Sequence, residues 1–429
     1  MNIRRNYSLE EFGVKKHQTV LSNGLELIFI EKPYSPIHAR IMMGAGSVFN
    51  PSDNGLAHFT EHMLVGASGK YPRKELIAQI INKVGGISNA STSGPHMMVV
   101  CGIPLPDHLP NMKQHFTQVL TDLYCTPALF NKEKGVISSE IEGKLSEPGY
   151  RIGRYMNRAL VSDSPWGYSN LGELEAMQSL EMDDVVAFHA KHCVVENMTL
   201  IVAGGSTFDK IRKTFGSIPI PSGGERMVLP PDPLPLLPQQ RLFYMEDVGE
   251  TDILMGFQAP PLFSRESIIL RFALEYAHGG LDSLFMNEIR NKRGLAYSAS
   301  LRILDFGKLR YIGTTVGVPT NKTDETISVV LECYRKFIKT GMPVKEIKKR
   351  IDRSYFANRR YLERSVDWIN EFDHGLFEEE NPLIGDFPDL FNFYETITSE
   401  EISAVLKKYI TLDNFHLFVV GREPSKKYM

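Results

Sequence analysis

Hydrophobic and polar positions change period repeatedly along the chain, and the changes predict strands alternating with helices. Apolar-rich runs at 19–21 and 25–30 flank Ser22-Asn23-Gly24. Asn-Gly supplies the positive φ angles of a tight turn, so these runs predict an opening β-hairpin. A further strand is expected near 37–44. The spacing then shifts to the helical repeat around 55–65 and 73–84, returns to a strand near 97–103, and gives helices near 109–124 and 131–145. Hairpins mixed with helices argue for an α+β fold, with helices packed on a mainly antiparallel sheet.

The second half repeats this order. Residues 181–206 and 398–423 each read as an amphipathic helix, a short loop and a buried strand closing on glycine. The strand ending Val100-Cys101-Gly102-Ile103-Pro104 has a counterpart in Val316-Gly317-Val318-Pro319, each followed by a polar break and a long helix. Between the halves, breakers accumulate from Gly216 through Pro219, Pro221, Pro230, Pro231, Pro233, Pro235 and Pro238, which favours an extended connector. The expected organisation is an N-terminal unit at 1–222, a Pro-rich linker at 223–240 and a homologous C-terminal unit at 241–429.

Composition narrows the function classes. Apolar residues make up 42% and charged residues 23% of the 429, the balance of a globular protein. A formal charge of −3 offers no broad basic field for a phosphate backbone, so nucleic acid is not an expected partner. No stretch reaches the roughly 18 uninterrupted apolar residues of a membrane helix, so no membrane partner is expected either. Arg4 and Arg5 are followed by Glu10 and Glu11 without an apolar run, which argues against a targeting peptide. Cys101, Cys125, Cys193 and Cys333 lack metal-type spacing and read as buried reduced thiols, in keeping with a cytoplasmic location.

The run His58-Phe59-Thr60-Glu61-His62 changes the picture most. Residues i, i+3 and i+4 share one face of a helix, so two imidazoles and a carboxylate point the same way. Imidazole suits zinc, and a nearby carboxylate that does not ligate can accept a proton from a water acidified by the metal. The order H-x-x-E-H inverts the commoner zincin motif and is itself a metallopeptidase pattern. A third ligand is needed. On the helix expected at 131–145, Glu133 and Glu140 fall on one face with Val136, Ile137 and Ile141. Carboxylates there either face a cation or, as part of a charged face with Glu142 and Lys144, turn to water.

These residues resemble the pitrilysin (M16) family of zinc peptidases, which includes insulin-degrading enzyme and the mitochondrial processing peptidases; the chain is similar to its half-length, two-domain type. The resemblance rests first on Gly55-Leu56-Ala57-His58-Phe59-Thr60-Glu61-His62-Met63. It implies a third ligand at Glu140, 78 residues beyond His62, and a second, non-ligating glutamate that supports catalysis at Glu133. Gly85-Gly86-Ile87-Ser88-Asn89-Ala90 is similar to the stretch where an edge strand receives the substrate, which implies substrate contacts at Asn89 and Ala90. In the second half, Arg290-Asn291-Lys292-Arg293-Gly294-Leu295-Ala296-Tyr297 looks like the family's arginine and tyrosine pair, which stabilises the oxyanion. Val65, where the family usually has phenylalanine, and Cys193, where an aromatic is frequent, depart from the pattern. The second half reads FALEYAHGG at 272–280 in place of the motif, so one zinc ion per chain is expected, with His278 a packed or surface residue.

The resemblance implies an endopeptidase hydrolysing unfolded peptides in a chamber closed by two chains. Arg290 and Tyr297 would then come from the facing subunit of a homodimer, or of a heterodimer with a related subunit. Rival readings are a non-catalytic peptide-binding scaffold, as in family members that lost their ligands, and a zinc hydrolase acting on other substrates. Manganese or cobalt could occupy such a site in place of zinc.

Overall fold

The hairpin expected at Asn23-Gly24 forms, with the positive φ at Gly24 and not at Asn23. Gly24 has a φ of 87°, Leu21 N donates to Leu25 O at 2.8 Å, and β1 (Lys15–Val20) pairs antiparallel with β2 (Glu26–Glu31). The computed structural model describes residues 7–161, 164–234, 241–245, 249–262, 264–371, 387–413, 415–421 and 424. Residues 1–6, with Arg4 and Arg5, and 235–240, the end of the expected linker, lie outside the described residues.

The first unit continues with β3 (Ile37–Met43), α1 (Leu56–Gly66), α2 (Lys74–Asn82), β4 (Ile87–Thr92), β5 (Met97–Ile103), α3 (Leu109–Thr121), α4 (Pro127–Leu145) and α5 (Pro148–Leu160). It ends with α6 (Leu174–Gln178), α7 (Met182–His192), β6 (Met198–Gly204) and α8 (Phe208–Phe215). The second unit runs β7 (Arg241–Met245), β8 (Glu250–Ala259), α9 (Arg265–His278), α10 (Leu284–Met286), β9 (Ser300–Phe306) and β10 (Leu309–Pro319). It closes with α11 (Thr323–Thr340), α12 (Val344–Tyr361), α13 (Ser365–Asn370), α14 (Phe387–Tyr394), α15 (Ser399–Tyr409) and β11 (His416–Gly421).

The two sheets have the strand orders β1-β2-β6-β3-β5-β4 and β7-β11-β8-β10-β9. Matching β2 to β7, β6 to β11, β3 to β8, β5 to β10 and β4 to β9 superimposes one order on the other, so the repeat is one of topology. β1 has no counterpart among the described residues. Each sheet has one parallel pair, β2 with β6 and β7 with β11, and its other pairs are antiparallel. The mainly antiparallel α+β expectation therefore holds.

Strand periodicity explains how the units join. In β3 and β6, Ile37, Ala39, Ile41, Leu200 and Val202 face the helices of their own unit. The alternate positions Met42, Ile201 and Ala203 enter a second core shared with the C-terminal unit. Both faces are thus covered, which is why these strands read as nearly continuous apolar runs. The cover is reciprocal. α13 of the second unit packs on β3 and β6, where Ser365 Oγ lies 2.9 Å from His38 Nδ1. Its equivalent α5 lays Met156 and Leu160 on Leu254, Tyr311 and Phe418 of the second sheet. Trp368, fully buried on α13, donates its indole N–H to Leu362 O at 2.8 Å. Burying such a side chain contributes about 3 kcal/mol, so the exchanged helices hold the two units as one body.

The connector carries no regular secondary structure from 218 to 234 and is held at both ends. Val195 N donates to Pro221 O, Trp166 Nε1 to Pro231 O at 3.2 Å, and Lys308 N to Asp232 Oδ1 at 2.7 Å. The start of the chain also docks outside its own unit, Tyr7 packing on Tyr355 and Phe391. Cys101, Cys193 and Cys333 are buried free thiols as expected, whereas Cys125 is only half-buried. Among the described residues no helix is long and apolar enough to cross a membrane.

Candidate metal centre

The position of the inverted motif is set by the N-terminus of α1. Gly55 takes a φ of 66°, and a Cβ there would lie 2.2 Å from Leu171 O, so only glycine fits. Asn54 Oδ1 accepts from Leu56 N and Asn50 Oδ1 from Ala57 N, which satisfies two of the helix's unpaired first donors. The glycine before the motif is thus a packing requirement that fixes where His58 emerges. α4 is then docked on α1 by Phe130 against Phe59, with ring centroids 4.8 Å apart, and by the buried Ile137 and Ile141.

This packing brings His58, His62 and Glu140 together, with one donor atom of each lying within 4.8 Å of the others. Glu140 Oε2 is 3.8 Å from His58 Nε2 and 3.6 Å from His62 Nε2. Donors about 2.0 to 2.1 Å from a tetrahedral zinc stand about 3.4 Å apart, so the cluster is near the spacing that zinc requires. Burial, assisted by the neighbouring His62, pushes the His58 pKa down to about 3, which keeps that imidazole neutral with a lone pair to donate. Two imidazoles and one carboxylate are a fitting donor set for zinc with a position left open. Val136, expected on the same face as the two glutamates, is instead 44% exposed. It lies to one side of the stripe formed by Glu133, Ile137, Glu140 and Ile141, so its side chain leaves the contact with α1.

Glu133 does not reach the three-donor cluster. It is buried behind His62, its Oε2 lying 3.2 Å from His62 Nδ1, so the imidazole can donate there and keep Nε2 free for a metal. The hydrogen bond from His62 holds the Glu133 carboxyl below its ordinary range. A carboxylate backing a ligating histidine fixes its ring and tautomer, so Glu133 would be a positioning residue if His62 holds a metal. Glu133→Gln is expected to weaken zinc binding by about 10- to 100-fold, read by competition with a calibrated chelator. Unchanged affinity would remove Glu133 from this role.

Glu61 is not one of the three donors; it lines the same cavity and accepts a 2.6 Å hydrogen bond from Thr92 Oγ1 at the end of β4. Burial raises the Glu61 pKa, partly opposed by the Thr92 bond. Thr92 was invisible to sequence reasoning, because a lone threonine 31 residues away carries no spacing signal. β4 is the edge of its sheet: Asn89 and Ala90 pair with Val100 and Val99 of β5 on one side only. Both residues line the cleft of about 570 Å³ that contains His58, Glu61, His62 and Glu140.

Arg290 and Tyr297 meet each other but not this cleft. The guanidinium lies 4.4 Å from the centre of the Tyr297 ring, which is 81% exposed, and neither residue lines the metal cavity. Arg290 sits in a π-helical turn, Asn287–Asn291, anchored by Glu288 through Lys292, Arg293 and Lys336; hydrogen bonds from Lys292 and Arg293 lead in pushing the Glu288 pKa down to about 2. In α9, the equivalent of α1, His278 is packed, its ring stacked 3.9 Å from Phe285 and bonded to Leu274 O and Thr314 Oγ1.

Comparison with known proteins matches residues 30–172 to the family model described as Insulinase (Peptidase family M16), and 179–353 to that described as Peptidase M16 inactive domain. The first segment holds the whole metal cleft motif and the second holds Arg290 and Tyr297. An uncharacterized zinc protease of Rickettsia bellii is 26% identical over 296 residues, covering 67% of this chain and 69% of its own length. A peptidase M16 inactive domain from Pseudomonas fluorescens has the same fold, with a TM-score of 0.84 at 16% identity over 96% of this chain and 99% of its own. Pitrilysin matches with a TM-score of 0.77 at 16% identity over 99% of this chain and 46% of its own.

Proposed function

Because the chain belongs to the M16 peptidase family, we propose that it is a zinc-dependent endopeptidase hydrolysing unfolded peptides, with His58, His62 and Glu140 as the zinc ligands. The observation carrying this reading is the convergence of those three donors beside Glu61 and under a free strand edge. When bound, zinc would lower the pKa of a coordinated water to about 7 and polarise a carbonyl oxygen.

The chain's own residues do the rest. An extended peptide adds to the open edge of β4, where backbone groups around Asn89 and Ala90 supply main-chain hydrogen bonds. That favours unfolded segments, since a folded protein cannot present a free strand. Glu61 accepts a proton from the attacking water and returns it to the leaving amine nitrogen as the C–N bond breaks. Thr92 holds one of its oxygens, leaving the other for the water. Arg290 and the exposed Tyr297, which do not line the cleft of their own chain, stabilise the oxyanion from the facing subunit of a dimer.

A pH profile tests the Glu61 assignment. The carboxylate form is the active one, so kcat/KM falls as pH drops through its pKa. Thr92→Val removes the bond that lowers this pKa, and the acid limb is expected to move to higher pH. An unmoved limb, or a shift to lower pH, would contradict Glu61 as the base.

The proposal as a whole is tested by incubating zinc-loaded protein with unstructured peptides of about 15 to 30 residues and reading cleavage by mass spectrometry. Chelator-sensitive internal cleavage supports it. No cleavage, together with tight peptide binding, would favour the scaffold reading, which the inactive-domain description of the segment 179–353 keeps in play.

A further inference from the structure

Next to the metal ligands the cleft has a side wall made by three helices. Val65 stands one turn beyond His62 on the same side of α1, α2 adds Ile77 and Ala78, and α3 adds His115; all four line the same cavity as the metal ligands. His115 is only 2% exposed, and neither of its ring nitrogens has a hydrogen-bond partner among the described residues. Among the other buried imidazoles, His416 also leaves its Nδ1 without a partner among the described residues, whereas two are bonded. His192 bonds Gly44 O at 2.7 Å, and His278 bonds through both nitrogens. Burial holds the His115 pKa down to about 4, so at neutral pH the ring offers one N–H donor and one lone pair.

A buried donor and acceptor without partners destabilise the fold unless a bound group completes them. We propose that His115 is the polar floor of a substrate side-chain pocket beside the metal, taking a residue with an apolar stem and an uncharged hydroxyl or carboxamide tip. Val65, Ile77 and Ala78 cover the stem. A hydroxyl or amide both donates and accepts, matching the neutral imidazole. A charged tip would be stripped of water among these side chains.

This inference rests on the peptidase reading, and the test separates the two. Zinc-loaded full-length protein is given a peptide it cleaves, with the residues flanking the scissile bond varied in near-isosteric pairs: Tyr against Phe, Thr against Val, Asn against Leu. A site built to hydrogen-bond its ligand rejects the analogue lacking the polar tip far more strongly than an apolar slot does. At one flanking position the polar member is expected to be favoured in kcat/KM on the order of tenfold or more in at least one pair. His115→Leu should bring that ratio close to one, whereas His115→Gln, which can still donate and accept, should retain most of it. Cleavage with every pair within about twofold, or selectivity surviving in His115→Leu, would overturn the pocket and leave the peptidase intact. If His115→Leu fails to fold, the parent protein's own ratios decide. Absence of cleavage for every peptide would overturn both.

Discussion

Glu61→Gln is expected to lower peptide hydrolysis by on the order of a thousandfold while the protein keeps one zinc per chain. The substitution preserves the shape of the side chain and its acceptance of the Thr92 hydrogen bond, but an amide cannot take up a proton at neutral pH. Because Glu61 is not among the three convergent donors, metal content should not change. Activity surviving at more than a few per cent in a zinc-replete variant would show that the base lies elsewhere. Loss of zinc together with activity would instead make Glu61 a ligand.

The second large effect concerns assembly. If Arg290 and Tyr297 act across a dimer, a chain carrying Glu61→Gln and a chain carrying Arg290→Ala are each nearly inactive alone, for different reasons. Mixed in equal amounts and allowed to exchange subunits, half of the dimers are hybrids. Each hybrid has one complete site: the Glu61 of one chain facing the Arg290 of the other. Recovery of about a quarter of the parental activity is therefore expected for a symmetric dimer. Absence of recovery after demonstrated exchange would place the pair's action within one chain, although neither Arg290 nor Tyr297 lines the cleft of its own chain.

The parts of this molecule legible from sequence were those governed by short-range geometry. Asn23-Gly24 announces its hairpin because the turn needs a positive φ, and His58, Glu61 and His62 share a face because the helix repeat puts them there. The repeat was legible for the same reason: the helix-strand segments α7 with β6 and α15 with β11 carry the same local pattern. Glu140 needed the family resemblance, since its helix also reads as a charged face, and only the docking of α4 on α1 distinguishes the two. Thr92 beside Glu61, and Glu133 behind His62 rather than toward substrate, depend on elements that meet in space without any fixed spacing. The exchange of α5 and α13 between the units was equally hidden, because an amphipathic helix does not state which sheet it covers. His115 is a histidine on the buried face of an amphipathic helix, and only its unpartnered nitrogens single it out.

X-ray data collected on either side of the zinc absorption edge from crystals of zinc-loaded protein test the metal assignment most directly. A single anomalous peak per chain is expected, about 2.0 to 2.2 Å from His58 Nε2, His62 Nε2 and a Glu140 oxygen. No peak at that place in zinc-replete crystals, or a peak liganded by Glu133 in place of Glu140, would contradict it.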